Sequence, residues 1–242
     1  MAARGHRLLD LDSRTFEARL REDPLLILPV GALEAHGPHL PLGADQIQAE
    51  ATAEALAERT HALVAPSVTY GSCAGARNFP GTVSLGIAEL EPYVRGILSE
   101  YGRMGVRRIL VLSGHAEPRH MAALREAADA ACRAHPDLRT VVLSDYDFVY
   151  ELRGTEAPPT DGHAGMLETS RLLALAPDRV GPMRPNIRGN RSPFVPTPPS
   201  RADWPESVQG DTVPASPEVG LRIQAHVVQR LEETVRQLLP AR

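Results

Sequence analysis

Residues 31–45 (GALEAHGPHLPLGAD) combine side chains that bind transition metals with residues that interrupt regular structure. Glycine and proline break both helix and strand, so the segment is predicted to be a shaped loop. Side chains alternate in extended backbone, so Glu34 and His36 can address one site, and Asp45 can return to it after the turn. Mixed carboxylate and imidazole ligands suit Zn, Mn, Fe or Co rather than calcium. An exposed polar loop is the alternative, but this density of ligand types after an apolar run favours a metal site.

A second segment, residues 113–117 (SGHAE), places His115 and Glu117 one residue apart after another apolar run. Both side chains are of types that bind metal. Taken alone, the pattern is better explained as the start of a helix, where Glu117 would complement the helix dipole.

A third segment, residues 161–170 (DGHAGMLETS), lies where a loop is predicted to enter a helix. His163 is on the loop and is free to reach into a cleft. Glu168 is on the first turns of the helix, where it is either a structural or helix-start carboxylate or part of the site.

Apolar runs and helical spacing predict the elements that position these segments. The predicted strands are 25–30, 62–68, 108–112 and 140–143, and the predicted helices are 46–60, 88–104, 119–134, 166–175 and 217–239. Strands that alternate with helices indicate right-handed crossovers and a largely parallel sheet. Ligands bind beyond the carboxyl ends of such strands, which is where the first two segments lie.

Length and composition narrow the class of protein. The 242 residues are predicted to form one α/β domain, 1–242, with a long proline-rich loop at 182–217 that is ordered or acts as a lid. A net charge of −4 gives no basic field for nucleic acid, and no apolar run approaches a membrane span. The N-terminus is too charged for a signal peptide, and Cys73 and Cys132 are far apart, so a cytoplasmic protein is expected. The absence of lysine excludes Schiff-base chemistry.

In order and spacing, these segments resemble the creatininase (creatinine amidohydrolase) family over most of the chain. Residues 31–45 and 113–117 are the most specific. Supporting matches are 78–82 (NFPGT), 163–170 (HAGMLETS) and the Gly210-Asp211 pair.

The resemblance implies a three-layer α/β/α fold, two divalent metal ions (Zn, Mn or Fe) and a homo-oligomer, often a hexamer. It implies that Glu34 and His115 bind one metal, His36 and Glu117 bind the other, and Asp45 bridges both. His163 matches a histidine that moves protons, and Glu117 could also carry the proton taken from water. The role of Glu168 stays open between structural support and the site. Two metals can activate water at neutral pH and polarise a carbonyl, as amide hydrolysis requires.

The chain also departs from the family pattern. Ala116 and Pro159 stand where creatinine hydrolases carry aromatic residues, and Trp204 is the one tryptophan. These changes predict a roomier pocket, less suited to stacking, and a small cyclic amide, formamide or similar substrate rather than creatinine. Residues 73–77 (CAGAR) lack a histidine that many members carry just before the segment 79–82. Arg77 in this stretch either meets an anionic substrate group or is a surface residue.

Two other functions stay open on these residues. One is a metallopeptidase that trims a small peptide or natural-product precursor. The other, from a different class, is a catalytically idle metal-binding assembly subunit. Neither function involves nucleic acid or a membrane.

Overall fold

Four parallel strands form the central sheet in a computed structural model that describes residues 5–187, 201–202 and 204–241. In chain order the strands are β1 (Leu25–Val30), β2 (Leu63–Val64), β3 (Arg108–Ser113) and β4 (Arg139–Ser144). Their spatial order is β2–β1–β3–β4. Val30 pairs with Ser113, so β1 and β3 end level with each other at one edge of the sheet.

The described helices are α1 (Ser13–Leu20), α2 (Ala44–Thr60), α3 (Ile87–Arg103), α4 (Pro118–Ala134), α5 (Tyr146–Val149), α6 (Met166–Leu175) and α7 (Pro217–Leu238). The predicted α/β class with a parallel sheet is confirmed. The strand predicted over 62–68 is shorter, because Pro66 has no N–H to donate to the ladder. Beyond it the chain returns to the sheet, where the Val68 N–H donates to the Pro29 carbonyl.

Alternating side chains of β1 pack into two separate apolar layers. Leu25 and Ile27 face a core formed with α2, α6 and α7. Leu26 and Leu28 face a second core formed with α3 and α4. A strand that is apolar on both faces must be covered on both sides, so the sheet lies between two helical layers, as expected.

The crevice for a ligand follows from this topology. After β1 the chain passes to α2 in one layer, whereas after β3 it passes to α4 in the other. Neighbouring parallel strands whose connections leave in opposite directions open a crevice beyond their carboxyl ends. The loops 31–43 and 114–117 border that crevice.

The proline-rich loop expected over 182–217 falls partly outside the described residues, because 188–200 and 203 lie beyond them. The described parts include an antiparallel pair, β5 (Asn186–Ile187) and β6 (Gly210–Asp211). Between these two strands, Trp204 lines the crevice, and the turn Pro205–Ser207 follows it. Among the described helices, none is both long and apolar enough to cross a membrane.

Candidate metal centre

Carboxylates and imidazoles from both loops converge in the crevice. Glu34 Oε2 lies 3.2 Å from His115 Nδ1. The two oxygens of Asp45 face different histidines: Oδ1 lies 3.2 Å from His36 Nε2, and Oδ2 lies 3.1 Å from His115 Nδ1. All four side chains are buried. The arrangement has two halves that share the Asp45 carboxylate.

Backbone carbonyls orient both imidazoles. The Nδ1 of His36 lies 3.0 Å from the Glu34 carbonyl, and the Nε2 of His115 lies 2.9 Å from the Ser72 carbonyl. A carbonyl only accepts, so these ring nitrogens donate. The opposite nitrogen of each neutral ring therefore points its lone pair at the carboxylates, which is how proteins commonly orient histidine ligands.

The electrostatics of the cluster favour bound cations. Burial alone lowers the pKa of the His36 imidazole, but the negative charges of Asp45, Glu168 and Glu34 outweigh burial and raise it to about 10. Burial likewise opposes the charged form of Asp45, yet His36 and His115 hold its pKa below the usual value. The carboxylates thus retain their charge and hold the imidazoles as cations when nothing else is bound.

Several buried polar atoms of the site are suited to bind metal ions. Glu34 Oε2, Asp45 Oδ2 and His36 Nε2 are buried and make no hydrogen bond to the described residues. Leaving such atoms unsatisfied is costly, and a divalent cation would satisfy them. Among the described residues there are three sets in which the potential ligand atoms all lie within 4.8 Å of one another: Glu34–Cys73–His115, Glu34–His36–His163 and His36–Asp45–Glu168. Oxygen and imidazole donors of this kind fit zinc or manganese.

Local structure explains how Asp45 and His115 come together. Asp45 lies in the first turn of α2, where the helix dipole stabilises a negative charge. The loop after β3 crosses this turn so closely that a Cβ on Gly114 would lie 2.1 Å from the Asp45 carbonyl oxygen. Only glycine permits this approach, so Gly114 sets the distance between the two ligand loops.

Glu117 and Glu168 occupy positions that the sequence did not distinguish. Glu117 caps α4 and lines the crevice, and its Oε2 lies 3.3 Å from the Ala74 N–H that donates to it. It belongs to none of the ligand sets found among the described residues. Glu168 Oε2 lies 3.9 Å from His36 Nε2, and Glu168 forms a set with His36 and Asp45.

His163 lies beside the ligand cluster and lines the crevice. Its Nε2 is 2.8 Å from the Ala35 carbonyl, and its Nδ1 is 3.9 Å from Glu34 Oε2. Its ring centroid is 4.3 Å from that of His36 and 4.9 Å from that of Trp204. The side chain keeps 18% of its surface exposed, so it can exchange protons with the crevice.

A cavity of about 240 Å³ opens over the cluster. Its walls include Ala116, Tyr146, Tyr150, Arg153, Trp204 and Gln209. Three aromatic side chains, Tyr146, Tyr150 and Trp204, line the cavity, although none stands at position 116 or 159, and the lower suitability for stacking stays a prediction. No sequence motif marks these three residues, because they come from α5, the turn after it and the proline-rich segment.

His120 is a buried residue that the sequence reasoning missed. It accepts a hydrogen bond from the Ser72 N–H at Nδ1 (3.2 Å), and its Nε2 lies 3.0 Å from Ser113 Oγ. Ser113 Oγ in turn donates to the His115 carbonyl (2.7 Å). Burial lowers the pKa of His120 to about 3, so the ring is neutral and holds the His115 loop through hydrogen bonds. A histidine among the apolar positions of α4 was the available signal.

Replacing His120 with alanine is expected to weaken metal binding by about 10–100-fold, because its hydrogen bonds hold Ser72 and Ser113, the two residues that contact His115. Metal titration with a competing chelator measures the effect. His120→Gln should recover part of the affinity, and His226→Ala, at a partly exposed ion pair on α7, should leave it unchanged. Unaltered affinity in a folded His120→Ala protein would refute this role.

Comparison of the sequence with known proteins matches this chain to one protein family. The family model Creatininase, described as creatinine amidohydrolase, matches residues 9–235. The creatinine amidohydrolase of Pseudomonas putida is 34% identical over 253 aligned residues, covering 96% of each chain. The mycofactocin precursor peptide peptidase of Mycolicibacterium smegmatis is 33% identical over 234 residues, covering 90% of this chain and 87% of the relative.

Solved structures agree with the fold. A crystal structure of creatinine amidohydrolase (creatininase) superposes with a TM-score of 0.90 at 32% identity, covering 99% of this chain and 100% of the other. A structure described as creatininase Mn gives 0.88 at 31% identity, covering 98% and 100%. A mutant creatininase described as Zn-Zn type also gives 0.88 at 31%, covering 99% and 100%.

Proposed function

The chain belongs to the creatininase family of hydrolases, and from that membership we propose that it is a two-metal amidohydrolase that cleaves the C–N bond of a small amide other than creatinine. The observation that supports the proposal most is the orientation of Asp45, whose two carboxylate oxygens face two different buried histidines. A carboxylate placed this way can bridge two cations. Cyclic amides and formamides fit a cavity of about 240 Å³.

We assign the ligands from the same contacts. Glu34 and His115 would hold one ion, and Asp45 would bridge it to the second. His36 would hold the second ion together with Glu168, instead of Glu117, because Glu168 shares a set of close ligand atoms with His36 and Asp45. The assignment leaves the Glu117 carboxylate facing the cavity.

The bound cations would supply activation of water at neutral pH and polarisation of the substrate carbonyl. Glu117 lines the cavity and can accept the proton that the attacking water loses. His163 keeps its Nε2–H on the Ala35 carbonyl and can deliver a proton from Nδ1 to the departing nitrogen. Trp204, packed against His163, limits the water that reaches it.

The decisive experiment combines metal analysis with a panel of lactams, formamides and short peptides. Removing metal with a chelator is expected to abolish hydrolysis and to lower the Tm, because ions bound only to the folded state stabilise it. Zinc, manganese or iron should restore both. Hydrolysis that persists in metal-free protein would refute the proposal, and two bound metals with no turnover on any amide would favour the idle assembly subunit.

A peptidase is the second candidate, since a relative of 33% identity is a precursor peptide peptidase. Turnover of short peptides with no turnover of lactams or formamides would favour it. Cytoplasmic location, a single domain over 1–242 and a homo-oligomer, such as a hexamer, stay predictions. Light scattering of the purified protein would test the assembly.

A further inference from the structure

We propose that Arg153 binds a carboxylate group of the substrate, from the wall of the cavity that also contains the metal cluster. The substrate class is therefore an amide that carries a carboxylate elsewhere in the molecule, such as an N-acylated amino acid. The inference rests on the proposed function, because it concerns the substrate of the same cavity.

Arg153 lies in the cavity on an aromatic platform. It follows the turn after α5 and lines the same cavity as Glu34 and His115. Its guanidinium carbon lies 3.5 Å from the centroid of the Tyr150 ring. Stacking on an aromatic face holds a guanidinium flat while its N–H edge stays available, which is a common way to present arginine to a carboxylate.

Within the described part of the chain, no carboxylate lies within ion-pair distance of Arg153, and Asp161 acts on its charge only from farther away. Its Nε is buried without a hydrogen-bond partner among these residues. Arg171 shows the contrast, since its buried guanidinium lies 2.7 Å from Asp145 Oδ2. Arginine does not lose its proton, so a partly buried guanidinium without a partner favours an anion from outside.

The described lining carries four carboxylates, those of Glu34, Asp45, Glu117 and Glu168, and one guanidinium, that of Arg153. The carboxylates of Glu34, Asp45 and Glu168 would be neutralised by metal ions, and Arg153 alone among the described lining residues carries a fixed positive charge. Arg77, the arginine that the sequence suggested for an anionic group, is exposed and lies outside the described lining. A bidentate pair with arginine also selects by shape, so a planar carboxylate fits better than other anions.

The test uses metal-loaded protein and a matched pair of probes, N-acetylglycine and N-acetylglycinamide, which differ in the carboxylate. Calorimetry measures binding and release of free amine measures hydrolysis. The wild type is expected to prefer the carboxylate by about tenfold to a hundredfold, the range of a charge-assisted hydrogen bond. Arg153→Gln should abolish the preference, Arg153→Lys should keep part of it, and Arg77→Gln, which removes the same charge outside the cavity, should keep all of it.

The outcomes separate this inference from the proposed function. Equal binding of both probes by the wild type, or a preference that survives in Arg153→Gln, overturns the role of Arg153, even if both probes are hydrolysed. Failure of both probes to bind also counts against it. An Arg153-dependent preference without any hydrolysis supports the anion site and challenges the proposed reaction instead. Thermal unfolding confirms that each variant is folded, and only a small loss of stability is expected, because Arg153→Gln loses the stacking on Tyr150 but no ion pair.

Discussion

Replacing Asp45 with asparagine is expected to lower amide hydrolysis by at least about 10³-fold, the size of effect seen when a group that stabilises transition-state charge is removed. The side chain keeps its shape but loses the negative charge that faces both His36 and His115. With less charge to hold two cations near each other, at least one ion should be lost. Steady-state kinetics on the best amide of the panel, with metal analysis of the same sample, would measure both effects.

Asp129→Asn provides the matched control, because Asp129 is an exposed residue of α4 in an ion pair with Arg133. The control should keep full metal content and activity. Asp45→Asn protein that retained two metals and near-normal turnover would show that Asp45 does not bridge the site. Loss of activity with both metals retained would place Asp45 in the reaction but not in the metal site.

The Glu168→Gln and Glu117→Gln variants are expected to differ in metal content, although both lose activity. Glu168 shares a set of ligand atoms with His36 and Asp45. Replacing its carboxylate with the neutral amide of glutamine should therefore remove the second metal ion and the hydrolytic activity. Glu117 only lines the cavity, so Glu117→Gln should keep both metals and lose about 10²–10⁴-fold in turnover, the range for a lost general base. Elemental analysis and kcat on the two variants would separate the roles.

The opposite pattern would restore the assignment expected from the family resemblance. If Glu117→Gln lost one metal while Glu168→Gln kept both, Glu117 would be the ligand. The N-terminus of α4 would then have to move on metal binding, because Glu117 Oε2 accepts a hydrogen bond from the Ala74 N–H in this structure and would have to turn toward the ion. Spectra of cobalt-substituted protein would report the change in ligand field in either variant.

The regular elements could be predicted from local patterns because each one buries an apolar run or stripe. The predicted helix 166–175 has the bounds of α6, and the strand 25–30 has those of β1. Two short helices were not predicted, α1 and α5. α1 has Phe16 and Leu20 at helical spacing but no fully buried residue, and α5 spans a single turn, so neither contains an apolar stripe long enough to predict a helix.

By itself, the sequence determined the fold class, the loop that carries Glu34 and His36, and the position of His115 after a strand that ends at the same edge. Those features depend on residues a few positions apart and on the rule that parallel strands end at one edge. The pairing of Glu34 with His115 as ligands came from the family resemblance. The tertiary structure alone decided that Glu168, on a helix packed beside α2, approaches His36, whereas Glu117 opens α4 in the other layer. It also decided that Tyr150 and Arg153 form a cavity wall. Such contacts depend on how distant elements pack, and a carboxylate or an arginine has the same local pattern whether it points into a cavity or into water.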